Sequence, residues 1–188
     1  MEMFDIVDEK GEPTGETVER TLAHSQGIRH RTSHVWLLRK RQGRVEILLQ
    51  KRSADKDSFP GCYDISSAGH IPAGVDYISS ALRELKEELG EEASSEELRC
   101  CGTRYIRYEE VFYGKPFRDN QVSKVFLLWR DKEVEEFTLQ REEIEEVKWF
   151  DFYECMEQVK NNTIRHCIMQ EELEMIRAAL EQDSWENV

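Results

Sequence analysis

The chain has no apolar run long enough to span a bilayer, and its first ten residues, MEMFDIVDEK, are acidic where a secretory leader would be basic and then apolar. No membrane association is expected, and a cytoplasmic location is. Cations are also scarce: 26 Lys and Arg stand against 39 Asp and Glu, a formal charge of −13. That balance leaves no excess of positive charge to neutralise a phosphate backbone, which argues against a nucleic-acid partner. The five cysteines, Cys62, Cys100, Cys101, Cys155 and Cys167, are odd in number and lack metal-ligand spacing. They are expected to be reduced thiols behaving as small buried hydrophobes. No internal repeat or low-complexity tract is present. At 188 residues there is room for one well-buried core with an appendage.

Hydrophobic patterning alternates strands with helices. Phe4–Val7 and Glu16–Arg20 flank the turn-rich EKGEPTG and predict a hairpin. Ser33–Leu38 and Val45–Gln50 are β-branched-rich strands joined by RKRQGR, and a loop with Pro60 and Gly61 leads to a short strand before Gly69. Further strands are expected near Thr103–Phe112, Val122–Trp129 and Glu146–Phe150, with a short helix at 152–159. From Ile164 to Leu180, the stripe Ile168, Met169, Leu173, Ile176 and Leu180 predicts an amphipathic terminal helix. This mixture implies an α/β/α sandwich.

The most informative stretch is GHIPAGVDYISSALRELKEELG, residues 69–90. Glu84, Glu87 and Glu88 are spaced i, i+3 and i+4, so on a helix they share a face. Crowded carboxylates repel one another unless a cation sits among them, and hard oxygen ligands suit Mg²⁺ or Mn²⁺, ions that serve phosphate chemistry. Ile78, Leu82, Leu85 and Leu89 are predicted to pack this helix on the core. In so acidic a chain, a lone Glu triplet would read as a solvated face; the flanking residues shift the balance. Gly69 lies upstream in a loop, Arg83 precedes Glu84, and Gly90 stands where a helix C-terminal glycine belongs.

These residues resemble the Nudix box, G-x5-E-x7-R-E-U-x-E-E-x-G-U with U a bulky apolar residue. Gly69, Arg83, Glu84, Leu85, Glu87, Glu88 and Gly90 match at the right spacing. Val75 stands where the box has its first Glu, which in the family supports the arginine and the loop–helix geometry, and Glu91 replaces an apolar residue. Asp76 is placed either to substitute for that Glu or to cap the helix. The resemblance implies a Nudix-type α/β/α sandwich with a mixed sheet over residues 1–188: a core at about 31–160, a hairpin extension at 1–30 and a C-terminal helix at 161–188. Dimers are common in the family, so a homodimer is compatible with it.

Upstream, HR-x-x-H-x-W at His30–Trp36, LLQKRS-x-x-K-D-x-FPG at Leu48–Gly61 and DISSAGHIPAG resemble the isopentenyl-diphosphate isomerase-like branch. True isomerases move protons on carbon with a Cys just before the Gly-His pair and a Glu on a later strand. Ala68 and Gln121 occupy those positions here, and neither supplies acid–base chemistry. The resemblance therefore implies a metal-dependent hydrolase that cleaves a diphosphate linked to another moiety. Isomerase activity is the alternative, and a non-catalytic diphosphate-binding module is the second.

By resemblance, Glu84, Glu87, Glu88 and the Gly69 carbonyl hold Mg²⁺ or Mn²⁺, and Arg83 fixes the carboxylate rotamers by pairing with Glu87. Glu84 is the first choice as base, with Glu142, Glu143, Glu145 and Glu146 as rivals on a later loop. Arg52 and Lys56 match diphosphate-contacting positions of the isomerase group, and their chemistry suits phosphate oxygens. His24, His30 and His70 resemble the ligands of a second metal site in true isomerases; with Gln121 in place of a carboxylate, that site is expected to be incomplete. Tyr105, Tyr108, Phe112, Tyr113 and Phe117 could stack on a nucleobase, but strand aromatics more often pack a sheet.

Overall fold

The computed structural model describes residues 1–186. Strands β1 (Met3–Val7) and β2 (Pro13–Glu19) form the expected hairpin. A helix that the periodicity did not reveal, α1 (Arg20–Gln26), follows at once, capped by the Glu19 side chain and closed by Gly27 at φ 69°. It is too short to carry a legible apolar stripe. The remaining strands are β3 (His30–Arg41), β4 (Arg44–Arg52), β5 (Tyr63–Asp64), β6 (Ser67–His70), β7 (Arg99–Phe112), β8 (Lys115–Trp129) and β9 (Ile144–Asp151). The longer helices are α2 (Tyr77–Leu89), α3 (Phe152–Lys160) and α4 (Gln170–Glu186).

The main sheet runs β5-β4-β3-β8-β7, with β6 added to β3 and β9 to β4. It is mixed: β3 and β8 are parallel, and the other pairs are antiparallel. Central β3 is buried along nearly its whole length, as expected of a strand covered on both faces. On one face, Trp36, Leu38, Ile47 and Leu127 meet α3 and α4 through Phe152, Met156, Leu173 and Ile176. On the other, Val35, Leu37, Leu48 and Leu128 meet Ala81, Leu85 and Leu89 of α2. A third, smaller cluster of Phe4, Val18 and Ala23 joins the hairpin to α1. The architecture is the α/β/α sandwich.

Several local expectations need correction. Ile78 is exposed, because α2 turns Ala81, Leu85 and Leu89 inward together with Ser80 and Glu88. The terminal helix starts at Gln170 rather than at 161, so Ile168 fills the core from a preceding irregular segment and Met169 is half exposed. The last two residues of the expected helix, 187 and 188, lie outside the described residues. Cys100 is exposed, unlike buried Cys62 and Cys155. Among the described residues, no helix is long and apolar enough to cross a membrane.

A candidate metal-binding active site

The Asp76 side chain accepts from Ser79 N and starts α2, and Gly90 ends it at φ 64° with its N–H returned to Leu85 and Lys86 carbonyls. The position of the missing box glutamate is held by the backbone instead. Arg31 donates to the Val75 carbonyl at 2.9 Å and to Asp5 at 2.8 Å, tying loop, hairpin and sheet together. Glu91, the other departure from the box, is almost fully buried and bridges Arg130 and Lys132, each at 2.5 Å. A carboxylate with two cations replaces the apolar contact there.

One turn earlier, α2 presents its acids to β6. The Glu84 carboxyl lies where a Cβ on residue 69 would fall, so only glycine fits beneath it. The buried Glu88 carboxylate accepts from Ala68 N at 3.2 Å and from Gln50 Nε2 at 3.4 Å. Arg83 donates to Glu84 at 2.5 Å and to Glu87 at 2.8 Å, and Glu87 reaches into solvent. Burial pushes the Glu84 carboxyl up to about 7, only partly opposed by Arg83. Burial, with repulsion from Glu84, pushes Glu88 up to about 8. Carboxylates so placed bind protons for want of positive charge, and a divalent cation would supply it. Glu84 and Glu88 face β6 together and have the donor chemistry for such an ion, whereas Glu87 is turned to solvent on Arg83, so the three carboxylates do not close into one ligand cluster among the described residues as the helix spacing suggested.

The other proposed contacts are arranged less simply. Arg52 is engaged within the chain: it pairs with Asp64 at 2.9 Å and donates to the Ser58 carbonyl and hydroxyl. It shapes the 53–61 loop and has no free fork to offer a phosphate. Lys56 is ion-paired with Glu143 and is close enough to Glu88 to affect its charge. Among the loop acids, Glu145 pairs with Lys51 and Glu146 accepts from the Tyr63 hydroxyl, so Glu143 is the one linked by Lys56 to the helix carboxylates.

The three histidines converge, and no carboxylate joins their cluster among the described residues. His24 comes from α1, His30 opens β3 and His70 ends β6, and one ligand atom from each lies within 4.8 Å of the others. Phe4 stacks on His30 and His70, each with centroids 4.9 Å apart. Both nitrogens of His24, Nε2 of His30 and His70, and Oδ1 of Asp119 are buried without a hydrogen-bond partner. His30 Nδ1 donates to the Ile28 carbonyl at 2.9 Å, which leaves the Nε2 lone pair free. Burial keeps the imidazoles neutral, His24 down to about 4 and His70 well below the ordinary value. Asp119 lies 3.9 Å from His30, outside the cluster of three, and the Gln121 amide donates to it at 2.8 Å. Neutral imidazoles with unpartnered buried nitrogens fit a transition metal. The sequence signal for this site was the resemblance of His24, His30 and His70 to the isomerase group's metal ligands; the neighbouring Asp119 carried none.

The aromatics divide. Tyr108 and Phe112 lie between Phe59 and Phe117 in one ring cluster, while Tyr105 and Tyr113 are exposed rather than packed.

A mixed sheet between helical layers, with an Arg-paired acidic helix facing the strand glycine Gly69 rather than the loop glycine that was expected, defines a Nudix domain. The NUDIX domain family model matches residues 28–170, and the chain belongs to the Nudix family. It is 39% identical over 156 residues to Nudix hydrolase 3 of Arabidopsis thaliana, covering 81% of this chain and 20% of that protein. It is 37% identical over 143 residues to an uncharacterized Nudix hydrolase of Clostridium acetobutylicum, covering 76% of this chain and 66% of the relative. The chain thus spans only part of the length of these relatives. A crystal structure of a Deinococcus radiodurans protein shares the fold with a TM-score of 0.66 at 19% identity, covering 94% of this chain and 98% of that one. The NUDIX domain of Shewanella oneidensis NrtR complexed with ADP ribose does so with a TM-score of 0.59 at 15% identity, over 80% and 87% of the two chains.

Proposed function

We propose that this protein is a divalent-cation-dependent hydrolase that cleaves a small-molecule diphosphate linked to another moiety, with water attacking phosphorus. The observation that carries this reading is the pair of buried, proton-hungry carboxylates, Glu84 and Glu88, facing Gly69. Mg²⁺ or Mn²⁺ held by Glu84, Glu87, Glu88 and the Gly69 carbonyl would neutralise diphosphate charge and acidify a bound water. Arg83 fixes the rotamers of Glu84 and Glu87. Glu84, with a pKa near neutrality, is suited to take a proton from water. Lys56 can leave Glu143 for a phosphate oxygen, and Glu143 then becomes a second candidate base. A cytoplasmic location belongs to the same reading. The NrtR domain complexed with ADP ribose supports a nucleotide-like ligand as one class to test.

The test is release of phosphate products from a panel of nucleoside, sugar, prenyl and coenzyme diphosphates, with and without Mg²⁺ or Mn²⁺. Metal-dependent turnover of at least one class is expected, and no turnover of any would overturn the reading. The histidine cluster favours a second reading, isomerisation of isopentenyl diphosphate, against which stand Ala68 and Gln121. Metal-dependent deuterium incorporation into that substrate in heavy water would establish the isomerase and displace the hydrolase.

A further inference from the structure

Residues 71–76 join β6 to α2 and so decide where the helix carrying Glu84 and Glu88 begins. Gly74 in this turn stands at φ 78°, and Val75 has no carboxylate with which to fix it. Three consecutive residues of β1 hold the turn from the hairpin side. The Met3 carbonyl accepts from Ala73 N at 2.8 Å, Phe4 bridges Pro72, and Asp5 Oδ2 accepts from Gly74 N at 2.9 Å.

Arg31 holds the same turn from the sheet. Its carbonyl accepts from Ile71 N at 3.0 Å, and its Nη2 donates to the Val75 carbonyl at 2.9 Å and to Asp5 at 2.8 Å. One residue therefore brackets both ends of the turn, and Asp5 joins that bracket to the hairpin. The Arg31 and Asp5 side chains are 9% and 13% exposed, a largely desolvated pair rather than a screened surface one. The guanidinium also lies 5.3 Å from the ring centre of Tyr77, the first residue of α2. Glu2, just before β1, is close enough to Glu84 to act on its charge, so the hairpin borders the acidic site itself. Apolar packing by Ala81, Leu85 and Leu89 sets the depth of α2 but is non-directional. The helix has to be placed more finely than that, because the Glu84 carboxyl fills the space of a Cβ at residue 69. The hydrogen bonds of Asp5 and Arg31 are directional and act where the helix starts.

We propose that Asp5 and Arg31 are a positioning pair for the candidate active site. By clamping the 71–76 turn they set where α2 begins, and hence where Glu84 and Glu88 stand over β6. The hairpin, which lies outside the residues matched by the family model, is then a working part of the site. This role rests on the reading of those carboxylates as metal ligands.

The test is calorimetric titration of Mn²⁺ into the wild type, Asp5→Ala, Asp5→Asn, Arg31→Ala and the double variant Asp5→Ala/Arg31→Ala. Amide exchange at Gly74, Val75, Ser79 and Ser80 is followed in parallel, and urea unfolding checks that each variant folds. Groups that support metal ligands typically cost about 10–100-fold in affinity when removed, and each alanine variant is expected to lose about that much. Exchange at the four amides should speed up in both. Because the two side chains act through one contact, the double variant should lose little more than the worse single one. Asp5→Asn keeps an oxygen for Gly74 N and should recover part of the affinity. Met156→Ala, a loss of packing in the opposite layer, should leave Mn²⁺ affinity unchanged despite its lower stability. Should Arg31→Ala fail to fold, the comparison of the two Asp5 variants decides alone. Wild-type affinity in the alanine variants, or an equal loss in Met156→Ala, would overturn the proposal and leave the hydrolase reading standing. A wild type that binds no Mn²⁺ would overturn both.

Discussion

Glu88→Gln separates the cost of a buried carboxylate from its use as a metal ligand. Burial raises this carboxyl from an ordinary 4.5 to about 8 in the folded chain. The folded state therefore holds the proton more tightly than the unfolded one. Stability from this group is full below pH 4.5 and drains as the pH rises through about 8. At about 1.36 kcal/mol per pH unit, complete ionisation costs at most about 5 kcal/mol. Gln keeps an oxygen for Ala68 N, now 3.2 Å away, but carries no charge to desolvate. Without metal and above the Glu88 value, the variant should be the more stable protein in urea unfolding; below pH 4.5 the two should coincide. Saturating Mn²⁺ should narrow that difference. A ligand at 100 times its dissociation constant stabilises the wild type by about 2.7 kcal/mol, and the variant should gain much less. Calorimetric titration would read the same loss as weaker binding. Equal stabilisation of both proteins by Mn²⁺ would place the metal elsewhere and refute the reasoning.

Gly69→Ala should fold but lose most activity and Mn²⁺ affinity, because its methyl group would displace the Glu84 carboxyl; unchanged kcat and affinity would show that the close approach is not functional. Glu84→Gln should lower kcat about 10²–10⁴-fold while changing KM far less, whereas a collapse confined to Glu143→Gln would move the base to the loop. Without metal, the histidines should withdraw stability as the pH drops below 6.5, because unfolded imidazoles take up protons that buried ones refuse, against the gain that Glu84 and Glu88 give on acidification. His24 alone accounts for about 3 kcal/mol of this by pH 4, and His24→Asn should flatten that part of the profile in pH-dependent melts. Glu172→Gln should destabilise the chain by about 3–5 kcal/mol in urea, since its buried carboxylate holds His34 at 2.7 Å, Trp36 at 3.0 Å and Arg104 at 3.0 Å; a loss below 1 kcal/mol would show that α4 does not depend on it.

The legible parts of this protein were those written within a few helical turns or along one strand. Caps at Asp76 and Gly90, the i, i+3, i+4 acids and the alternating strands follow from backbone periodicity and local hydrogen bonding, so sequence alone located α2, most strands and the family. Tertiary structure decided everything that depends on pairing between distant segments. The parallel register of β3 on β8, with His30 beside Gln121, and the antiparallel register of β6 on β3 bring His30, His70 and Asp119 to one end of the sheet, where α1 adds His24. Arg52 had the chemistry for phosphate, but Asp64 and Ser58 occupy its fork once the loop folds. Glu91 broke a local pattern because its partners, Arg130 and Lys132, arrive from about forty residues away. Residue chemistry thus named the candidate groups, whereas their availability depended on which other segments reached them first. Burial did the rest: in the closed fold it raised Glu84 and Glu88 and kept the histidines neutral.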